Sequence, residues 1–507
     1  MNPHPTAASS PLPPIASSSR RLVAHWAAGC ALATLLSCGG SGRRGDVPAP
    51  AGGPGGGGGQ PTAGPTPVPV PPVPVEPEWH HPQTLADTIS MDGNDSCSGS
   101  VAAGANGDAI IAVEYGSRVF ASERRNAVWN HPVRYVTLPH NMAGGSVFSP
   151  RMAIRPDGTT IMTWVQRDIT SNSIDRIYAS VYSNGAWTDP ATHADHISPL
   201  AGGAQQPWVR FDPAGDAVVV WEEFTTNGGS IFKSEWHNGV WTNPSGPTDC
   251  MSSLQTHAQD VHIAVGPNGH VVVVWAQADG QHYRIFKSER RNGVWTYPSG
   301  LTDNISPAGT DAYKPKVAFD ARGDAVIAWV QSDGSFVQVF KSELRNGVWT
   351  HPSSVSDNIS PDGRSAHAVD VAMAGGDAVI VWSQDVSATG SSMFKSEYRG
   401  GTWTHPSGLA DHFAVGQLVR DFVLAMDPSG HAVVAYTAAD ATMIWSMYLS
   451  EYRDGAWQHA ASLADHISPG ATATSEPAIA VDGDGAYIVI WRQSDGSFEK
   501  TFMSEFR

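Results

Sequence analysis

Residues 295–349 read WTYPSGLTDNISPAGTDAYKPKVAFDARGDAVIAWVQSDGSFVQVFKSELRNGVW, a stretch that begins and ends on a tryptophan. Inside it lie four short apolar runs: around Val317, from Val326 to Trp329, from Val339 to Glu343, and around Trp349. Turn residues separate them, at Asp320 to Gly323, Ser332-Asp333-Gly334 and Asn346-Gly347. Runs this short, rich in Val, Ile, Phe and Trp and bounded by Gly, Asn and Asp, predict β-strands joined by hairpins. None has the length or the 3.6-residue spacing of a helix. We call the strands A, B, C and D in chain order.

The unit repeats. Opening tryptophans stand at Trp79, Trp129, Trp187, Trp241, Trp295, Trp349, Trp403 and Trp457, and the last five intervals are each 54 residues. A four-stranded unit recurring at such a period predicts the blade of a β-propeller. A second aromatic column, Trp164, Trp221, Trp275, Trp329, Trp382 and Trp491, closes strand B, with Val113 and Tyr436 in its place in two units. Large flat side chains fill the widening gap between neighbouring sheets at little entropic cost. The chain stops at Ser504-Glu505-Phe506-Arg507, a strand C with no D after it, and the repeats start at Trp79, a strand D with no C before it. The two halves make one blade, which removes the open edges. The expected fold is therefore all-β: an eight-bladed propeller over residues 79–507, closed by pairing of its N- and C-terminal strands.

The segment Ser234-Glu235-Trp236-His237-Asn238-Gly239-Val240-Trp241, with copies from Ser288, Ser342, Ser396 and Ser450, resembles the Asp-box of sialidase-like propellers. The acidic residue here directly follows the serine, and the glycine comes one position late. In that family the motif is a fold element at a C-to-D turn, so the resemblance implies a propeller and no particular reaction. No Phe-Arg-Ile-Pro segment of a sialidase is present.

Ahead of the repeats, Arg20 and Arg21 precede an apolar run from Leu22 to Leu36, the order of a secretory signal. Leu35-Leu36-Ser37-Cys38 resembles the lipobox of bacterial lipoproteins, which implies cleavage before Cys38 and a lipid on its sulfur. More than half of residues 39–78 are Gly or Pro, a composition that buries no core and suits a stalk. The expected organisation is a signal peptide over 1–37, a stalk over 38–78 and the propeller after it. Contact with a membrane would come only through the anchor, at the outer membrane, on the cell surface or the periplasmic face. The formal net charge of −17 repels phosphate backbones and argues against nucleic acid as a partner. Cys97 and Cys250 have no metal-ligand spacing, though an oxidising compartment would permit a disulfide.

Repeated residues are scaffold, so function is expected where one unit departs from the rest on the face carrying the D-to-A and B-to-C loops. Just before strand A the units differ: Ser98, Ser149, Gln206, Asp260, Lys314, Asp421 and Glu476 hold comparable places, with the sixth unit shifted near His367. Two residues after the strand B tryptophan most units carry glutamine, whereas the third has Glu222-Glu223 and the first Glu114-Tyr115. Candidate ligand residues are thus Glu114, Gln206, Glu222, Glu223, Asp260, Lys314, Asp421 and Glu476. Neighbouring strand residues face opposite ways, so Glu222 and Glu223 cannot act as one acid/base pair. His81, His131, His351, His405 and His459 lie on separate outer strands and cannot share a metal. No metal, cofactor or catalytic set is expected. The expected role is a monomeric, lipid-anchored surface module that binds a carbohydrate or a protein. A sialidase-like or polysaccharide-cleaving hydrolase or lyase, drawing on Glu114, Glu222, Asp260 and Glu476, and a structural envelope protein are the alternatives.

Overall fold

A computed structural model describes residues 77–507, except 92, 94, 132–143, 171, 200–201, 226–227 and 254–255. The expected signal segment, Cys38 and all but the last two residues of the expected stalk lie outside the described residues. The repeats form eight antiparallel sheets of four strands, each in the order A-B-C-D. In the blade that decides the fold these are Ala312–Phe319, Ala325–Ser332, Val337–Arg345 and Val348–Thr350. Each strand A packs against the strands A of the blades on either side, and this chain of contacts returns to its start. Eight sheets therefore stand around one axis, with strand A innermost and strand D outermost.

The last blade is assembled from both ends of the repeats. Thr474–Val481, Tyr487–Ser494 and Glu499–Phe506 supply A, B and C, and Trp79–His80 supplies D. Trp79 pairs with Phe506 and His80 with Glu505, and the main chains of Glu78 and Arg507 exchange hydrogen bonds of 3.1 and 3.2 Å. We number this blade 8 and the preceding ones 1 to 7 in chain order.

The core is a set of layers between sheets. Trp329 of strand B is fully buried and stacks on Phe340 of strand C, with ring centroids 6.0 Å apart; the same pair recurs as Trp275–Phe286, Trp382–Phe394 and Trp491–Phe502. The glutamine two residues later ties that tryptophan to the D-to-A loop. Gln331 accepts from the Trp329 indole at 3.1 Å and donates to the Pro307 carbonyl at 2.8 Å.

The glutamate that follows each motif serine explains the departure from the Asp-box. The indole N–H of a strand D tryptophan donates to the glutamate on strand C of the preceding blade. Trp349 reaches Glu289 at 2.8 Å, Trp403 reaches Glu343 at 2.8 Å and Trp295 reaches Glu235 at 3.0 Å. Trp457 reaches Glu397, Trp187 reaches Glu123, Trp79 reaches Glu451 and Trp129 reaches Glu505 in the same way. Every joint but one is stapled so, including both that involve the composite blade. At the remaining joint blade 2 has Val181 where the others have glutamate, and Trp241 finds no such acceptor among the described residues. The repeated histidines are part of the same scaffold: His351 stacks on Trp349 and meets the Ser342 hydroxyl at 2.9 Å. Among the described residues no disulfide forms, and the Cys250 thiol donates to the Ser252 carbonyl.

Candidate functional site

The disagreeing residues do not precede strand A; they lie within it. In all eight blades the A–B register slips at the same place, between Cys97 and Gly99, Phe148 and Arg151, Gln205 and Trp208, Gln259 and His262, Tyr313 and Lys316, Ala366 and Ala368, Val419 and Phe422, and Ser475 and Ala478. Each slip is a β-bulge. Five of the singled-out side chains sit on it with left-handed backbone, at φ of 56° for Ser149, 54° for Gln206, 59° for Asp260, 53° for Lys314 and 53° for Glu476. Pro150, Pro207, Pro315 and Pro477 follow four of them, at a bulge position where no ladder N–H is needed. In sequence the prolines mark the start of a strand, and only the pairing with strand B reveals the bulge. Non-glycine residues in this region cost about 1 kcal/mol or more each, and the strain is concentrated in one ring at the channel mouth.

Polar contacts run around that ring. The Lys314 amide donates to the Asp260 carboxylate at 3.1 Å, and Lys314 Nζ to the His367 carbonyl at 3.0 Å. Arg420 pairs with Asp421 at 3.0 Å and donates to the Thr474 carbonyl. Arg492 lies 3.4 Å from Glu476. Gln206 is exposed and Asp421 is turned to its own neighbour, so neither joins the acidic groups described next.

The four acids proposed for chemistry separate into two couples. Glu222, 2 % exposed, lies in strand B of blade 3 opposite Gln205. Burial pushes its carboxyl up to about 7, against a hydrogen bond from Gln205 and helped by the charge of Asp260. A Cβ at Gly229 would stand 2.6 Å from the Glu222 carboxyl oxygen, so the pocket closes over a residue with no side chain. Glu114 of blade 1 is pushed up to about 8, by burial first and then by Glu476, with Arg492 opposing. Both acids therefore hold a proton near neutrality.

Aromatic rings flank the Glu222 couple. Phe224, 42 % exposed, stacks on His257 at 6.5 Å; His257 meets Tyr283 edge-on at 6.1 Å; Tyr283 lies 5.0 Å from Tyr313. The run crosses blades 3, 4 and 5 on the face of the D-to-A and B-to-C loops. Burial holds the Tyr313 hydroxyl up at about 12 and raises that of Tyr283, with Glu222 and Asp260 adding to the latter, so both phenols remain donors.

Glu223 belongs elsewhere. It is wholly buried and takes the glutamine's place, accepting from the Trp221 indole at 2.9 Å. A carboxylate cannot donate to the loop as glutamine does. Arg176 of blade 2 supplies the missing donor, binding the Pro199 carbonyl at 2.7 Å and lying 3.9 Å from Glu223. The pair restores the scaffold link, while Glu222 turns to the other face of the strand.

One feature lies away from the loop residues that the sequence singles out. Two places beyond the bulge, the second inward ring of strand A carries Ala102, Ala153, Arg210, Ala264, Ala318, Ala372, Ala425 and Ala480. A single arginine among seven alanines is the sharpest departure in the repeat, and aligning the units on their strand A valines would have shown it. Among the described residues no group of three His, Cys, Asp or Glu side chains is arranged to hold a metal ion.

Fold and site together define an eight-bladed propeller with a polar, acid-biased mouth. No family model matches the chain. No curated protein matches it either. Among solved structures it is similar to the polysaccharide lyase Uly1, at 10 % identity over 74 % of this chain and 93 % of that one, with a TM-score of 0.45. It is similar also to a PL25 ulvan lyase, at 11 % identity over 70 % and 94 % with a TM-score of 0.43. A third is the Trypanosoma rangeli sialidase, at 13 % identity over 64 % and 56 % with a TM-score of 0.35. At such identities and scores these likenesses assign no ligand and no reaction.

Proposed function

We propose that this protein is a surface module that binds a carbohydrate on the loop-rich face, across blades 3 to 5. The carrying observation is the run Phe224–His257–Tyr283–Tyr313 beside Glu222 and Asp260. Sugar rings present C–H faces that pack on aromatic rings and hydroxyls that need both donors and acceptors. Here Asp260 and the ring carbonyls accept, while the tyrosine hydroxyls and a protonated Glu222 donate. The lipobox-like Cys38 and the Gly/Pro-rich segment after it support an anchored, stalked presentation at the cell surface.

A glycan array probed with the full chain tests this. Tyr283→Ala and Tyr313→Ala should each weaken binding of the recognised glycan at least tenfold with little change in melting temperature. Unchanged binding in both would overturn the reading.

One observation favours a second reading, a glycan-cleaving enzyme. Glu222 keeps a proton to about pH 7 next to Asp260, and general-acid catalysis needs a carboxyl in that state. Glu222→Gln separates the two. Glutamine resembles the protonated acid in shape and donors, so binding survives it, whereas turnover of fluorogenic glycosides would be abolished.

A further inference from the structure

Below the bulge strand A contributes two rings of side chains. The upper one consists of Ser100, Arg151, Trp208, His262, Lys316, Asp370, Val423 and Ala478; the lower is the alanine ring that Arg210 interrupts. Their side chains meet across the axis. Lys316 of blade 5 places Nζ 5.0 Å from the Trp208 ring of blade 3, although blade 4 stands between. The Arg151 guanidinium, from blade 2, lies 4.8 Å from the same ring and that of Arg210 5.6 Å, with His262 edge-on at 4.6 Å. Trp208 is thus the hub of three cations.

The charges there do not cancel. Among the described residues no carboxylate comes within ion-pair distance of Arg151, Arg210 or Lys316. Arg151 donates to the Pro150 carbonyl at 3.0 Å and Arg210 to the Val209 carbonyl at 2.9 Å, which leaves most of each guanidinium fork uncommitted. Asp370 is the acid of this ring, and its oxygens accept from the amides of Val371 and Leu424. His262 accepts from the Val317 amide through Nδ1 and is neutral, its basicity held well below normal by burial and by the three cations. Three positive charges face two negative ones: Asp370 of this ring, which supports Arg210 and Lys316, and Asp260 of the bulge above, which acts on Lys316. Burial lowers all three cations' proton affinity, and for Arg151 burial together with the charge of Arg210 brings it to about 10. Yet Arg151, Arg210, Lys316 and Asp370 all keep accessible surface while lying deep in the molecule, so they border internal space rather than packed core. Phe211, the residue after Arg210, lines a depression of about 770 Å³ on the opposite face, together with Arg155 and Phe319.

Uncompensated charge this deep is costly unless something neutralises it. We propose that the waist of the channel is an oxyanion site in which Arg151, Arg210 and Lys316 bind one sulfate or phosphate, or the acid group of a charged sugar. The planar forks of the two arginines suit a bidentate oxyanion. The site is independent of the aromatic platform above it, and loss of glycan binding at Tyr283 or Tyr313 leaves it standing.

The test uses the full chain freed of sulfate and phosphate. Sodium sulfate and sodium glucuronate are titrated separately by calorimetry and by thermal melting, against sodium chloride at equal ionic strength and against glucose. Saturable binding and a raised melting temperature are expected with at least one oxyanion and not with glucose. Glucuronate stronger than sulfate assigns the site to acidic sugars; the reverse assigns it to the free inorganic ion. Arg210→Ala restores the residue of the other seven units. It should melt at or above the wild type without oxyanion and bind at least tenfold more weakly with it; Lys316→Met should weaken binding likewise. Absence of binding by both anions overturns the proposal, as does an equal response in wild type and both variants.

Discussion

At the scale of single residues, the dipeptide Glu222-Glu223 shows how one step along a strand changes a residue's task. Glu223 is drawn into the tryptophan-to-loop link, and Arg176 makes good the donor it lacks. Glu222 is buried beside Asp260 with its proton retained. In the unfolded chain Glu222 ionises near its ordinary value, whereas in the fold it does so only near 7. Its contribution is therefore fully present in acid and is lost as pH rises through that interval. Glu222→Gln should consequently be more stable than the wild type at pH 8, by about 3 kcal/mol, and equal to it at pH 4. Chemical denaturation at the two pH values measures this, and a variant less stable at pH 8 would contradict it. That Glu222 differs from its counterparts was legible in the chain. That Asp260 and two tyrosines from other blades surround it was not, since the ring of sheets alone brings residues 38 to 91 positions apart together.

At the scale of the element, the inner strand repeats a defect as faithfully as it repeats its valines. Strand A bulges in every blade, and in five of them the bulged residue is a left-handed side chain and not a glycine. Gln206→Gly should keep or raise stability, by up to about 1 kcal/mol, because glycine adopts this backbone freely. Gln206→Val should lower it by more than that, since a β-branched residue resists positive φ. Melting curves of the two variants decide; the opposite ranking would mean that the bulge relaxes when its residue is changed. The strands themselves were readable from Val, Ile, Trp and turn chemistry. The bulge was not, because Ser-Pro, Gln-Pro, Lys-Pro and Glu-Pro look like loop ends until the partner strand's register is known. The staple was half-readable: Ser-Glu recurs plainly, but its acceptor role depends on a tryptophan 60 positions later in the next sheet, as from Glu289 to Trp349.

At the scale of the whole molecule, closure decides how the ring behaves. Blade 8 borrows its outer strand from the far end of the repeats, and Phe506 covers Trp79 and Tyr487. Deleting residues 504–507 removes that cover, the partner strand of Trp79 and the glutamate that holds Trp129. The shortened chain should melt earlier and over a broader range; an unchanged curve would show that the seal contributes nothing. Eight blades followed from tryptophan spacing, and their closure from the unpaired strands at the two ends of the repeats. The charge at the waist, Arg210 in a ring of alanines with Arg151 and Lys316 in the ring above, emerges only once strand A is set in register against strand B. The staples, finally, give the circle a preferred place to part. The splice between the two chain ends carries its indole clasps on both sides, whereas the joint of blades 2 and 3 has valine in place of an acceptor. Under heat or force the hoop would yield at that missing stitch, within a continuous run of chain, before it came undone where the ends meet.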